Sequence, residues 1–226
     1  MVRPSSTEQV SQVLKVCSSM RIPVVPRGGN TGLVGGGVLD MPGGIILSMD
    51  RMNSITSTDF SAGVIDVEAG CILEKLHRTL DGSGYQFPMR LGSEGSAQIG
   101  GLLATNAGGS LAFRYGTMEG LVLGLEVVLS DGRIFNGMRA VQKDNSGYQL
   151  RKLFCGSEGT LGVITRAILK LVPSANQSFT ALSAVKDVIS LLQFAKKLRR
   201  EASEFLSAME FFSNTGLNIA LENISN

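Results

Sequence analysis

The chain has no tryptophan, a single histidine, three cysteines and six prolines among its 226 residues. One histidine excludes multi-histidine metal centres. His77 also sits in a helix-like run after Cys71, where a packed or solvent-facing role suits it, so no histidine-based triad is assigned. Cys17, Cys71 and Cys155 are odd in number, far apart and without metal-type pairing. They read as reduced, buried thiols of a cytosol-like compartment, and no metal site is expected. Neither sign of charge dominates: 21 basic against 19 acidic residues leave +2, scattered along the chain, which is no electrostatic footprint for nucleic acid. No apolar run approaches the roughly 18 to 20 residues of a membrane span. The opening residues MVRPSSTEQ lack the apolar core of a secretory signal.

What the chain has in quantity is glycine, 28 residues, within a composition that is 43% hydrophobic and able to bury the core of one large or two small domains. Between Pro26 and Gly37 it reads PRGGNTGLVGGG, directly after the apolar stretch Ile22 to Val25. Glycine tolerates positive φ and lets successive N–H groups converge, so such a loop after a buried strand suits a phosphate. An ordinary surface turn is the competing reading. The run is short, however, carries Arg27, Asn30 and Thr31, and is flanked by strand-like segments. It is not a Rossmann fingerprint, since Gly35 and Gly37 are followed at the sixth position by Asp40. It is not a P-loop either, since Val38 follows Gly37.

Along the chain, Ser6 to Gln9 matches a capping box, and Val10, Val13, Leu14, Cys17 and Met20 recur at helical spacing. Strands are expected at Ile22 to Val25, Gly44 to Met49, Gly63 to Glu68 and Leu121 to Leu129. The last turns through Ser130-Asp131-Gly132 into Arg133-Ile134-Phe135. Ile72 to Leu80 reads as a short helix. A second glycine cluster surrounds the apolar stretch Ile99 to Ala104, and a third, GSEGTLGVIT from Gly156, leads into a strand Gly162 to Val172 closed by Pro173. Beyond Pro173 the texture changes. Ser178 to Val185 is strand-like, Val188 to Arg200 reads as a helix whose basic end, Lys196 to Arg200, suits a helix C-terminus, and Asn218 to Ser225 is helix-like.

Taken together, RGGNTGLVGGG (27 to 37), SEGSAQIGGLLATNAGG (93 to 109), RYGT (114 to 117), LGLEVVLSDG (123 to 132), KDNSGY (143 to 148) and GSEGTLGVIT (156 to 165) resemble the FAD-binding domain of the vanillyl-alcohol oxidase and p-cresol methylhydroxylase (PCMH) flavoproteins. The branch is that of the D-2-hydroxyacid dehydrogenases, which act on D-2-hydroxyglutarate, D-lactate or glycolate. LSAMEFF (206 to 212) resembles the entry into their substrate domain. The resemblance implies an α+β fold, with a PCMH-type domain of two α/β subdomains over 1–173 and the start of a truncated substrate-binding (cap) domain over 174–226.

It also implies roles. Pro26, Arg27, Gly28, Gly29, Asn30, Thr31, Gly32 and Leu33 are similar to the pyrophosphate loop. Gly92, Ser93, Gly95, Ser96, Gly100, Gly101, Thr105, Asn106 and Ala107 resemble the segment lying against diphosphate, ribityl chain and flavin ring; Glu158, Gly162 and Ile164 resemble the one closing around the adenosine end. With Gly28, Gly29 and Asn30 where some relatives carry a flavin-linking histidine, FAD is expected to be non-covalent. Lys143, Asp144 and Asn145 either face the flavin or form an ordinary charged turn, the second being favoured.

The family's substrate arginine, metal-ligating histidines and catalytic histidine lie beyond the matched region, so no catalytic residue is assigned here. The first helix has no strand before it and the chain ends within a helix-like run, so truncation at both ends is expected. The resemblance thus implies the FAD-holding part of an oxidoreductase that turns a D-2-hydroxyacid into its 2-oxoacid and passes electrons to a downstream acceptor. A homodimer is admitted, and the setting is cytoplasmic, or mitochondrial in a eukaryote. The alternative is a stand-alone FAD-binding module without catalysis.

Overall fold

In a computed structural model, which describes residues 1–224, the first element is α1 (Thr7–Met20). Ser6 caps it, its side chain accepting from the Gln9 N–H at 3.3 Å, and Gln9 Oε1 reaches back to the N–H of Ser5, one residue beyond a strict capping box. Arg21 ends the helix in the left-handed conformation, φ 54°. Strand β1 (Val24–Arg27) starts two residues later than expected and pairs in parallel with β2 (Ile45–Ser48), Val24 opposite Ile45. Where no strand was expected before α1, Val2 bridges in parallel to Leu47.

The main sheet contains β3 (Ile55–Asp59), β4 (Val64–Glu68), β6 (Val122–Val128), β7 (Ile134–Gly137) and β8 (Val163–Lys170), in the order β3-β4-β8-β6-β7 with every neighbour antiparallel. Between β4 and β6 come α2 (Leu73–Leu80), β5 (Tyr85–Gln86), α3 (Ile99–Ala104), α4 (Ala112–Tyr115) and α5 (Met118–Leu121); α6 (Arg151–Phe154) precedes β8. The sequence pattern missed β3 and ran β8 too far. The chain leaves the main sheet after Lys170, and Val172 and Pro173 form a separate short strand, β9, paired with β5. Pro173 is tolerated because this two-residue ladder asks little of its missing N–H.

One continuous apolar core lies under both the parallel pair and the main sheet, joining Leu47 and Met49 to Ile65, Val67, Leu125 and Leu169. Two polar ties fix its edges. Thr7 and the fully buried Thr165 both donate to Glu126 Oε1, at 2.6 and 2.9 Å, which seats the start of α1 on β6 and β8. Arg166 forks onto Asp66 with two 2.7 Å bonds, a bidentate cross-strand pair.

Beyond Leu171 no described residue is buried. The strand expected at Ser178 to Val185 is irregular and exposed, since its apolar alternation finds no neighbouring strand among the described residues. Helices α7 (Val188–Glu201) and α8 (Asn214–Ile224) do form, α7 capped by Asp187 accepting from the Ser190 N–H at 2.7 Å. The last residue of the expected terminal helix, Ser225, lies outside the described residues. No described helix is long and apolar enough to cross a membrane.

Candidate cofactor site

Three loops converge on one cavity of ≈ 300 Å³. The first leaves β1 at Pro26, the second runs through Leu91 and Ser93 into α3, and the third enters β8 from Glu158 to Ile164. Their mutual contact depends on absent side chains. A Cβ on Gly29 would lie 1.8 Å from the Ser96 carbonyl oxygen, and one on Gly100 would lie 2.7 Å from the Ala69 Cβ. Gly29 and Gly100 therefore let loop pack on loop and α3 pack on the turn after β4. Gly101 is different: a Cβ there meets nothing within 4 Å, because the residue faces the cavity itself.

The three loops also hold non-glycine residues in the left-handed region, at Asn30 (φ 53°), Asn106 (φ 48°) and Glu158 (φ 51°). Arg21 at the end of α1 is the one other such residue described. Strain of this kind costs on the order of 1 to 3 kcal/mol per residue and persists where surrounding contacts enforce it. Here they do: the Glu158 N–H donates to Ala104 at 2.8 Å, and Asn106 Oδ1 accepts from the Glu119 N–H at 2.9 Å.

Of the residues expected to hold the cofactor, Leu33, Gly92, Gly95, Ser96 and Asn106 do not line this cavity, and the rest do. Leu33 is fully exposed. Gly95 and Ser96 form the turn whose backbone supports Gly29 from behind, Asn106 spends its side-chain oxygen on the start of α5, and Gly92 borders a separate, more open depression beside Arg90 and Glu94. Residues that local reading overlooked also line it, among them Met49, Ala69, Leu91, Gln98 and Val163. Leu91, Gln98 and Val163 lie within or beside the loops already read, whereas Met49 after β2 and Ala69 after β4 are brought in only by the fold. The segment Lys143 to Asn145 is not part of it; Asp144 caps its own turn, accepting from the Ser146 N–H at 3.0 Å.

The chemistry of the lining suits a nucleotide-bearing flavin. None of the N–H groups of Gly29, Asn30, Thr31 and Gly32 finds an acceptor within the described chain, and Arg27 is the one cation on the wall. Unpaired amides converging near a guanidinium are what a diphosphate requires. Met49, Leu91, Leu102, Val163 and Ile164 supply apolar surface for flat rings. No histidine or cysteine is among the lining residues, and no group of three metal-ligating side chains occurs among the described residues.

His77, the sole histidine, is buried on α2 away from this cavity, 2.9 Å from Arg90 through Nδ1. Burial first, and the Arg90 charge second, push its pKa down, outweighing Glu94.

Comparison with known proteins agrees with this chemistry. The chain is 43% identical over 224 residues to the mitochondrial D-2-hydroxyglutarate dehydrogenase of Arabidopsis thaliana, covering 99% of this chain and 40% of that protein. It is 43% identical over 223 residues to the Danio rerio enzyme of the same name, covering 97% and 41% respectively. It thus spans about 40% of the length of these curated relatives. A solved structure of alkyldihydroxyacetonephosphate synthase superposes with a TM-score of 0.69 at 25% identity, covering 78% of this chain and 32% of that one. The mixed helix and sheet architecture is therefore that of a PCMH-type FAD-binding fold. With the family model for the FAD binding domain matching residues 1–137, the chain belongs to that family.

Proposed function

We propose that this chain is the FAD-holding part of an oxidoreductase that converts a D-2-hydroxyacid, such as D-2-hydroxyglutarate or D-lactate, into its 2-oxoacid. The convergence of three glycine loops on one cavity with unpaired amides carries the reading. The D-2-hydroxyglutarate dehydrogenases it resembles support the substrate class. Bound FAD would supply the hydride acceptor. The chain's own residues do the holding: Arg27 and the Gly29 to Gly32 amides face the diphosphate, Gly101 gives room beside the ring system, and Glu158 with Ile164 borders the adenosine end. The cofactor is held without a covalent bond. We place the division between the cofactor-holding domain and the start of a substrate domain at 173, two residues after the last buried one, Leu171. A downstream electron acceptor, a homodimer and a mitochondrial setting belong to the same proposal for a whole enzyme.

Arg27 and Glu158 are the charged side chains on the wall, and with both given to the cofactor in this reading no other charged group lines it to bind a substrate carboxylate or act as a base. The stand-alone module reading predicts the same cofactor binding and differs in its reaction partners. Purified chain is expected to take up FAD and to release all of the yellow chromophore on acid precipitation. Mixed anaerobically with D-2-hydroxyglutarate or D-lactate, the flavin is expected to stay oxidised. Flavin retained on the pellet, or rapid stereospecific bleaching, would contradict this reading. Restored bleaching when the remaining length of a related dehydrogenase is supplied would favour the enzyme-part reading over the stand-alone module.

A further inference from the structure

His77 is buried, 7% exposed, and its Nδ1 stands between two groups that make opposite demands of it. Arg90 Nη1 lies 2.9 Å away and Glu94 Oε2 lies 3.4 Å away. A guanidinium only donates, so Arg90 requires a lone pair on Nδ1; a carboxylate only accepts, so Glu94 requires a proton there. One nitrogen cannot satisfy both at once. The shorter contact is to Arg90, which fixes the neutral ring as the Nε2–H tautomer, and Nε2 is sealed within the protein without a hydrogen bond. Arg90 and Glu94 are the charged groups that act on the ring, both from the segment after β5, and the Phe87 and Met89 carbonyls stand near it. On α2 itself Glu74 pairs with Arg78 at 2.7 Å and Lys75 donates to the Asn53 carbonyl at 2.7 Å, while from β5 Tyr85 stacks on Phe60.

Arg90 also lines the second, open depression, together with Glu94, Ser110 and Glu210. Glu210 comes from the C-terminal segment and has no ion-pair partner among the described residues. That segment is tied to α4 by Arg114, which donates to the Glu204 carbonyl, and by Arg199 over the Phe113 ring at 5.5 Å. We propose that His77 is a proton-operated switch for Arg90: protonation of Nδ1 joins the imidazolium to Glu94 and expels the Arg90 guanidinium, which then pairs with Glu210 across the depression. The proton is taken from solvent. Like charge drives the exchange, because an imidazolium and a guanidinium at the Arg90 distance repel while Glu94 already stands where it can accept. Acid thereby adds a third tie between the C-terminal segment and the rest of the chain. Leu91 lines both the depression and the cofactor cavity, so the new tie forms at the edge of that cavity. The switch goes beyond the cofactor reading and does not depend on it.

His77 is the sole histidine, so imidazole nitrogen NMR of the isotope-labelled 226-residue chain reads this site directly. At about pH 8 the wild-type ring is expected as the Nε2–H tautomer. In Arg90→Met, which keeps the stem and deletes the donor, it is expected as the Nδ1–H tautomer facing Glu94. On acidification the wild-type ring should protonate below its usual 6.5 while the chain is still folded. Melting temperatures of Arg90→Met, Glu210→Gln and the double variant then test the exchange. Above the His77 midpoint the two shifts should add; below it the double variant should lose less than their sum, because each substitution deletes the same ion pair. In a His77→Gln background that pH dependence should vanish, and its persistence would trace it to Glu210's own titration and overturn the proposal. An Nδ1–H tautomer in the wild type at about pH 8, a tautomer unmoved by Arg90→Met, or a ring that stays neutral until the chain unfolds would each overturn it as well. So would additivity on both sides of the midpoint. Should Arg90→Met not fold, the exposed Glu210→Gln decides alone: it is expected to lower the melting temperature only below the midpoint, and a wild-type melt there refutes the switch.

Discussion

Gly29 and Gly101 look interchangeable in the sequence, yet substituting them is expected to produce opposite outcomes. At Gly101, inside α3, an added Cβ meets no protein atom within 4 Å, so the fold does not resist it. A helical glycine also costs about 0.5 to 1 kcal/mol relative to alanine. Gly101→Ala should therefore raise the melting temperature of the apoprotein by a few degrees, since about 1 kcal/mol corresponds to roughly 2–4 °C at this chain length. The same methyl stands in the cavity, where overpacking costs on the order of 1 to 3 kcal/mol. FAD affinity should drop by about 5- to 150-fold, and by more for Gly101→Val. Gly29→Val should behave otherwise. Its Cβ would sit 1.8 Å from the Ser96 carbonyl oxygen, a backbone atom that cannot swing aside, so the two loops must part. Apoprotein stability should fall along with cofactor binding. Calorimetric FAD titration beside differential scanning calorimetry of apoproteins separates the two effects. Undiminished FAD affinity in folded Gly101→Val would refute the cavity assignment, and a wild-type melt for Gly29→Val would refute the loop contact.

Two titrations offer further checks. Because burial lowers the His77 pKa from its usual 6.5, the folded chain prefers the neutral imidazole and the unfolded chain binds the extra proton. The stabilisation is complete above the unfolded pKa and declines as pH falls through it. His77→Gln should flatten the loss of melting temperature between about pH 7 and pH 5, and an unchanged slope would count against the assignment. Burial also pushes the Cys71 and Cys155 thiols up to about 11, so in the folded chain they should react with iodoacetamide far more slowly at about pH 8 than after denaturation. Equal rates in the two states would contradict the burial of Cys71 and the partial burial of Cys155.

The elements most legible in sequence were those with a buried stripe or a local signal. α1 announced itself by Ser6 and the spacing of Val10, Leu14 and Cys17, and β6 by an apolar run buried along nearly all its length. β3 escaped because ITSTD is polar, lies at the sheet edge and carries a register irregularity between Ile55 and Ser57, so no alternation survives. Ser178 to Val185 misled for the converse reason: its alternation is real, but alternation makes a strand only where a neighbour accepts the hydrogen bonds. The glycine loops were readable as loops. Which face of each loop meets the cavity was not, because Ser96 and Asn106 are turned to bracing by contacts far away in sequence. Gln98 gave no local signal at all. Its amide is held by Asp50, 48 residues earlier.

The continuous core beneath both sheets ties the fate of the polypeptide to the supply of its cofactor. Met49, Ala69, Leu102, Val163 and Ile164 belong to that core and to the cavity wall alike, so the wall cannot open widely without disturbing the packing that holds the chain folded. Loading and global unfolding are then linked by mass action: flavin at a hundredfold excess over its Kd adds about 2.7 kcal/mol to stability. For a protein of ordinary marginal stability, that increment changes the unfolded fraction roughly a hundredfold. Quality-control proteases that act on unfolded chains would, by this linkage, clear the empty form far faster than the yellow one, making cellular abundance a gauge of flavin availability.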